Sequence, residues 1–204
     1  MPEDYAPWFD LFQVSTGDTT GDRPLGFLSA AALGLRPDPE HTWACLVLTH
    51  LRQRKDELLF LSPWRTGQTA DEVHTIALDL ANACRMEGWQ LHVVTPATGG
   101  MAYILLESAS PVAVTTLPPE RLESRSLQQS LPQGPDRKVL HQLLTTMQMV
   151  LARHPQNAVR TQAGRLPLNT PWIFGVGHGR TLRPVPQPPG QCWSPDPVVT
   201  GLAR

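Results

Sequence analysis

The sequence predicts an α+β fold: a small mixed or antiparallel sheet in the order ββαββ with a helix across one face, then a long helix, a short strand and a proline-rich tail. Three observations lead there. Trp43-Ala-Cys-Leu-Val-Leu-Thr49 is an apolar, partly β-branched run, and Glu57–Leu61 has the character of its hairpin partner. Thr69 and Glu72 have capping-box spacing just ahead of an amphipathic stretch. Leu140, Leu143, Leu144, Met147, Val150 and Leu151 recur at the period of a helix.

Taken in order, residues 1–42 form an irregular N-terminal segment with an aromatic cluster (Trp8, Phe9, Phe12), a polar loop and a short helix over the small residues 27–35, closed by Gly34. An α+β domain follows at 43–110. Its helix carries Val73, Ile76, Ala77, Leu80 and Cys84 on one face and ends at Gly88, and the runs 90–95 and 101–107 supply a second strand pair. Residues 111–134, rich in Pro, Ser and Gln, read as a surface connection.

The segment 135–180 is a long helix and hinge. Asp136 is placed to cap the helix, His154-Pro155 stops it, and Asn157 is placed to cap a short helix ending at Gly164. Pro171–Phe174 then reads as a brief strand running into a turn at Gly175-Val-Gly-His-Gly179. From 181 to 204 the proline density predicts an extended tail, and Pro186, Pro189 and Trp193 are its candidate partner-binding residues, since a preformed extended segment suits an aromatic groove. The same tail could instead strap across the domain.

Charge narrows the function classes. With 17 Lys and Arg against 18 Asp and Glu, the chain has a net charge of −1, so no long-range field draws it to nucleic acid or to an anionic membrane. Arg52-Gln-Arg54-Lys55 reads as a solvated hairpin tip rather than a phosphate site. Hydrophobic residues at 41% and charged residues at 17% predict a real core and a surface with little charge to repel a protein partner. The three cysteines, Cys45, Cys84 and Cys192, are too widely spaced for a disulfide framework or a metal knuckle, and a reducing cytoplasm is the expected location.

No residue set announces catalysis. The seven histidines include no His-x-His and no His-Glu-x-x-His, and no Gly-x-Ser-x-Gly elbow occurs, so catalytic residues, metal ligands and cofactors are all expected to be none. Gly175-Val-Gly-His-Gly179 lacks the Lys-Ser/Thr and the following helix of a phosphate loop. His154, Asn157 and Arg160 stand around a helix stop. They are candidates either for binding an anion or for a structural hinge that satisfies unpaired backbone groups.

The run His154, Pro155, Asn157, Arg160, Gly164, Asn169, Trp172, Gly175 and Gly177 resembles a pattern in two related groups. These are the archaeal-type cofactor-independent phosphoglycerate mutases of the alkaline-phosphatase superfamily and the bacterial RpfE-type regulatory proteins. In the mutases the resemblance implies two metal ions and a serine nucleophile on a core, with an inserted α+β cap. This chain looks like the cap and hinge without that core, and Ala44 stands where the mutase pattern has an arginine; Arg65 is the candidate for a second basic position. The likeness to the RpfE-type proteins covers most of residues 25–204.

The function this implies is a non-catalytic, phosphoglycerate-mutase-derived protein with a regulatory or protein-interaction role and a protein partner. The alternative is a component of a mutase, or of a related phosphotransferase, whose catalytic core lies on another chain.

Overall fold

The α+β expectation is met by a five-stranded antiparallel sheet between two helical layers. The computed structural model describes residues 15–16, 23–54, 57–61, 63–96, 101–122 and 130–183. The elements are β1 (Ser15–Thr16), α1 (Leu25–Ala32), β2 (Thr42–Arg54), β3 (Glu57–Leu61), α2 (Ala70–Met86), β4 (Gln90–Val94) and β5 (Tyr103–Ser108). After them come α3 (Arg137–Arg153), α4 (Pro155–Gln162), β6 (Thr170–His178) and β7 (Leu182–Arg183). Pro186, Pro189 and Trp193 lie outside the described residues.

The spine of the sheet is β2, which at 13 residues is much longer than the apolar run that announces it. Its first half pairs with β5 and with β6, and its second half turns back along β3. Beyond β5 lies β4, the outermost strand on that side among the described residues. Alternation along β2 serves two cores. Ala44, Leu46 and Leu48 face α2 and α3, together with Ile104, Leu106 and Ile173. Trp43 and Cys45 face the other way and, with Leu105, meet Leu25, Leu28 and Ala30 in the cluster that includes α1.

Both long helices follow their sequence signals. Thr69 accepts from the Glu72 N–H at 3.2 Å and its own N–H donates to the Glu72 carboxylate at 3.0 Å, which completes the capping box of α2. Such a cap contributes about 1 kcal/mol. In α3 the stripe Leu140, Leu143, Leu144, Met147 and Leu151 is buried. Asp136 precedes that helix, but its carboxylate accepts from the Ala113 N–H at 2.8 Å instead of capping, which ties the incoming connection to the helix start. That connection is also partly internal: Val112, Val114, Thr116 and Leu122 are buried.

The glycine run after Phe174 is strand, not turn. Trp43 pairs with Gly177 and Cys45 with Phe174, so Ala44 faces two residues of β6 and the strand carries a bulge. Gly175, at φ 63°, supplies the left-handed residue such a bulge needs. The inserted residue sends Val176 into the helix-side core beside Ile173. It also leaves only glycines, Gly175 and Gly177, beneath the start of α1. A Cβ on Gly175 would come 2.6 Å from Leu25 Cβ, and one on Gly177 would come 2.8 Å from Pro24 Cβ. On the helix, Gly26 lies so close to the backbone of Ala44 that no side chain fits there. These glycines form the seat of α1.

Candidate functional site

The candidate residues cluster where α3 hands over to α4, and the chain stops one helix and starts the next within a single residue. His154 is extended (φ −67°, ψ 127°), because Pro155 disfavours the helical conformation before it. Pro155 then opens α4 at a position where no N–H is required. His154 is the N-cap of α4, its Nδ1 accepting from the Gln156 N–H at 3.1 Å, so the capping role expected of Asn157 belongs to His154. His154 Nε2 lies 3.0 Å from Asp79 Oδ2 of α2, off the line of a hydrogen bond.

Asn157 takes the other half of the hand-over. Its amide nitrogen donates to the carbonyls of Leu151, at 2.8 Å, and Leu168, at 3.0 Å, while its oxygen accepts from the Leu168 N–H at 2.7 Å. It therefore satisfies a carbonyl at the end of α3 and holds the irregular segment that leads into β6. Full use of a buried amide is what keeps its burial from being costly.

Arg160 is fully buried. Its Nε donates to Leu166 O at 2.8 Å, one terminal nitrogen to Thr66 O at 2.6 Å, and the other to Glu72 Oε2 at 2.7 Å. One guanidinium thus joins α4, the loop after it, the turn before α2 and the first turn of α2. Glu72 also meets Arg165, whose side chain is partly exposed, at 2.5 Å. Burial raises the Glu72 carboxyl, but the Thr69 N–H, the Arg165 hydrogen bond and the charges of Arg160 and Arg165 outweigh it and hold the group below its ordinary range. His154, Asn157 and Arg160 are therefore neighbours in one joint, and the hydrogen bonds described for each end on protein groups.

The later motif residues have similar tasks. Asn169 accepts from the Leu51 N–H at 2.8 Å and donates to Leu51 O at 3.0 Å, so its side chain imitates one rung of a sheet. Trp172 donates from its indole nitrogen to Leu117 O at 2.8 Å. Ala44, at the position compared with a mutase arginine, is completely buried in the helix-side core. Arg65 is exposed.

A second polar cluster was not anticipated, because its members are far apart in sequence. Glu107 of β5 accepts from His41 Nδ1 at 2.7 Å and from His92 Nε2 of β4 at 2.8 Å, and His92 stacks on Trp43 at 5.2 Å. The hydrogen bond to Glu107 raises the His41 pKa, against some desolvation, with the charges of Asp38 and Glu107 adding to the rise. His178, expected as an exposed turn residue, is half-buried at the end of β6, where burial and the nearby Arg180 push its pKa down. Glu72 and Thr66 were likewise missed as partners of Arg160, and Arg165 as a partner of Glu72. The capping box showed where Glu72 sits, but its second task needed the third dimension.

The described residues do not bring together a donor set of the kind the resemblance attaches to the mutases' two-metal centre. Among the described residues, no three or more His, Cys, Asp or Glu side chains come together as metal donors. Both oxygens of Glu107 are engaged by imidazoles, and Glu72 is held between two arginines.

No family model matches the chain. It is 30% identical over 84 residues to a probable 2,3-bisphosphoglycerate-independent phosphoglycerate mutase of Geobacter sulfurreducens, a match covering 41% of this chain and 21% of that protein. The 2,3-bisphosphoglycerate-independent phosphoglycerate mutase of Methanosarcina mazei is 31% identical over 61 residues, 30% of this chain and 15% of the relative. The chain thus spans about a fifth or less of these relatives' length. Among solved structures, the cofactor-independent phosphoglycerate mutase of Thermoplasma acidophilum superposes with a TM-score of 0.56 at 17% identity, over 75% of this chain and 41% of that one. The fold is that of a portion of such a mutase.

Proposed function

We propose that this chain is a phosphoglycerate-mutase-derived, RpfE-like protein that works without catalysing phosphoryl transfer, through contact with a protein partner. One observation carries the reading: the residues that create the likeness are occupied in holding the fold. Arg160 spends its donors on Leu166, Thr66 and Glu72, Asn157 on two backbone carbonyls, and Asn169 on Leu51. A motif used in this way passes on architecture without passing on chemistry. Migration of a phosphoryl group requires cations or arginines aimed at its oxygens, and a guanidinium sealed between backbone carbonyls and a carboxylate is not available for that task.

The test is metal analysis and a mutase assay on the purified chain, with a native pull-down beside them. The expected result is neither stoichiometric Mn²⁺ nor Zn²⁺, no turnover, and a stable partner. Turnover by the chain alone would overturn the proposal. Turnover appearing only with a captured partner would establish instead the alternative, a mutase divided between two chains. Binding of phosphate or phosphoglycerate at His154, Asn157 and Arg160 is checked by thermal shift; stabilisation lost in Arg160→Gln would return the joint to a ligand role.

A further inference from the structure

We infer that His154 is a proton-operated cap. Protonation of its ring, on acidification from about pH 8 to about pH 5, releases the first turn of α4 and draws the imidazole to Asp79, while the rest of the fold holds.

Helices are usually capped by Ser, Thr, Asp or Asn, whose side-chain oxygens accept from the first turn. Thr69 does this for α2, and its hydroxyl keeps its lone pairs at every pH in that range. In α4 the acceptor is a ring nitrogen. Pro155 has no N–H and the Asn157 N–H bonds to His154 O at 3.0 Å, so the Gln156 N–H depends on His154 Nδ1, 3.1 Å away. An imidazole offers that lone pair only while neutral. In the cation both nitrogens are donors, and Nδ1 would set its N–H against the N–H of Gln156. Proton and cap exclude each other.

The other half of the device stands on the far side of the ring. With Nδ1 accepting, the proton of the neutral ring sits on Nε2, which is buried and has no hydrogen-bond partner among the described residues. Asp79 Oδ2 is 3.0 Å from it but off line, so the neutral ring serves α4 and leaves the contact with α2 unmade. His154 is also both the C-cap of α3 and the N-cap of α4. A cation there stands at the negative end of one helix and the positive end of the next. Charging the ring therefore turns it from α4 toward α3 and Asp79. Of the other charged groups at the joint, Arg160 and Arg165 are engaged with Glu72, Gln156 Nε2 reaches Glu72 at 3.4 Å, and Arg153 is exposed. Glu72, held below its ordinary range, stays ionised throughout. Release at Gln156 is felt next at Asn157, which holds Leu151 O and both backbone groups of Leu168, so the effect passes toward the approach to β6.

The inference is independent of whether the chain is catalytic, since it is read from backbone amides of the full chain without substrate, metal or partner. Hydrogen exchange followed by NMR, corrected for the intrinsic effect of pH, is expected to show Gln156 losing protection about fivefold or more as the His154 ring signals titrate. The Glu72 amide under Thr69, and Ile76 in the same helix, should keep theirs. His154→Asn, which caps without titrating, should hold Gln156 at constant protection. Asp79→Asn, at an exposed position, should need a lower pH for the same release. Should His154→Asn fail to fold, the wild-type and Asp79→Asn titrations decide. Constant protection at Gln156 in the wild-type chain, the same fall in His154→Asn, simultaneous loss at Ile76, or an unmoved release in Asp79→Asn would each overturn it.

Discussion

Arg160 and Arg165 share one carboxylate, yet their contributions to stability should differ widely. Arg160 and Glu72 are both buried, so removing the arginine leaves a buried carboxylate with only the partly exposed Arg165 as its cationic partner, and two backbone acceptors without their donor. Arg160→Ala should cost about 3–5 kcal/mol. Arg165 is partly exposed, and Arg165→Ala should cost less than about 1 kcal/mol. Urea denaturation of the two variants measures the gap directly. His41 makes a separate prediction. Its pKa is raised in the folded state, so its contribution is fully present below its ordinary value and is lost as pH rises through the raised one. Between about pH 6 and pH 8, the wild type should therefore lose stability relative to His41→Gln, as followed by thermal midpoints. Neither partnership was visible in the sequence: Glu72 and Arg160 are 88 residues apart, and His41 and Glu107 are 66 apart. Local spacing marked His154, Asn157 and Arg160 as important without showing which backbone groups they serve.

Helix α1 gives the sharpest test among the elements, because local propensity and packing disagree there. In an isolated helix, Gly26→Ala would be favourable by about 1 kcal/mol. In the fold the new Cβ would collide with the Ala44 backbone, which cannot move without disturbing the strands on both sides of it, β5 and β6. Gly26→Ala should be destabilising by about 1–3 kcal/mol, the usual range for overpacking. Near-UV circular dichroism of Trp43, in the same cluster as α1, would register the displaced helix. A stabilised variant would mean that α1 sits loosely. The long helices were legible because capping and periodicity are local properties. The strand role of Gly175–His178 was not, because glycine carries no periodic signal and the bulge is defined only against β2.

For the molecule as a whole, β2 contributes residues to both the α2–α3 core and the α1 core, so neither layer can detach without disturbing the strand between them. Unfolding should be a single transition, with near-UV signals from Trp43 and far-UV signals from α2 and α3 changing at one midpoint. Two separate midpoints would show that the layers are independent. The fold class was readable from the alternation of apolar runs and helical stripes. The distribution of β2 between two cores was not, since a strand buried on both faces appears in sequence as one continuous apolar run. Likeness to the mutases follows the same division: it reports shared packing, which the joint around Arg160 makes tangible, and is silent about what the exposed surfaces touch.

The doubled position in β6 makes the strand behave like a text with one spare letter. Excising Gly175 would restore strict alternation and move each later residue to the opposite side, sending Val176 toward α1 and Gly177 toward the helices. A hole would then open beneath α3, and a branched side chain would stand where α1 now lies flat. Loss of a single codon would thus do more harm here than most replacements along the strand.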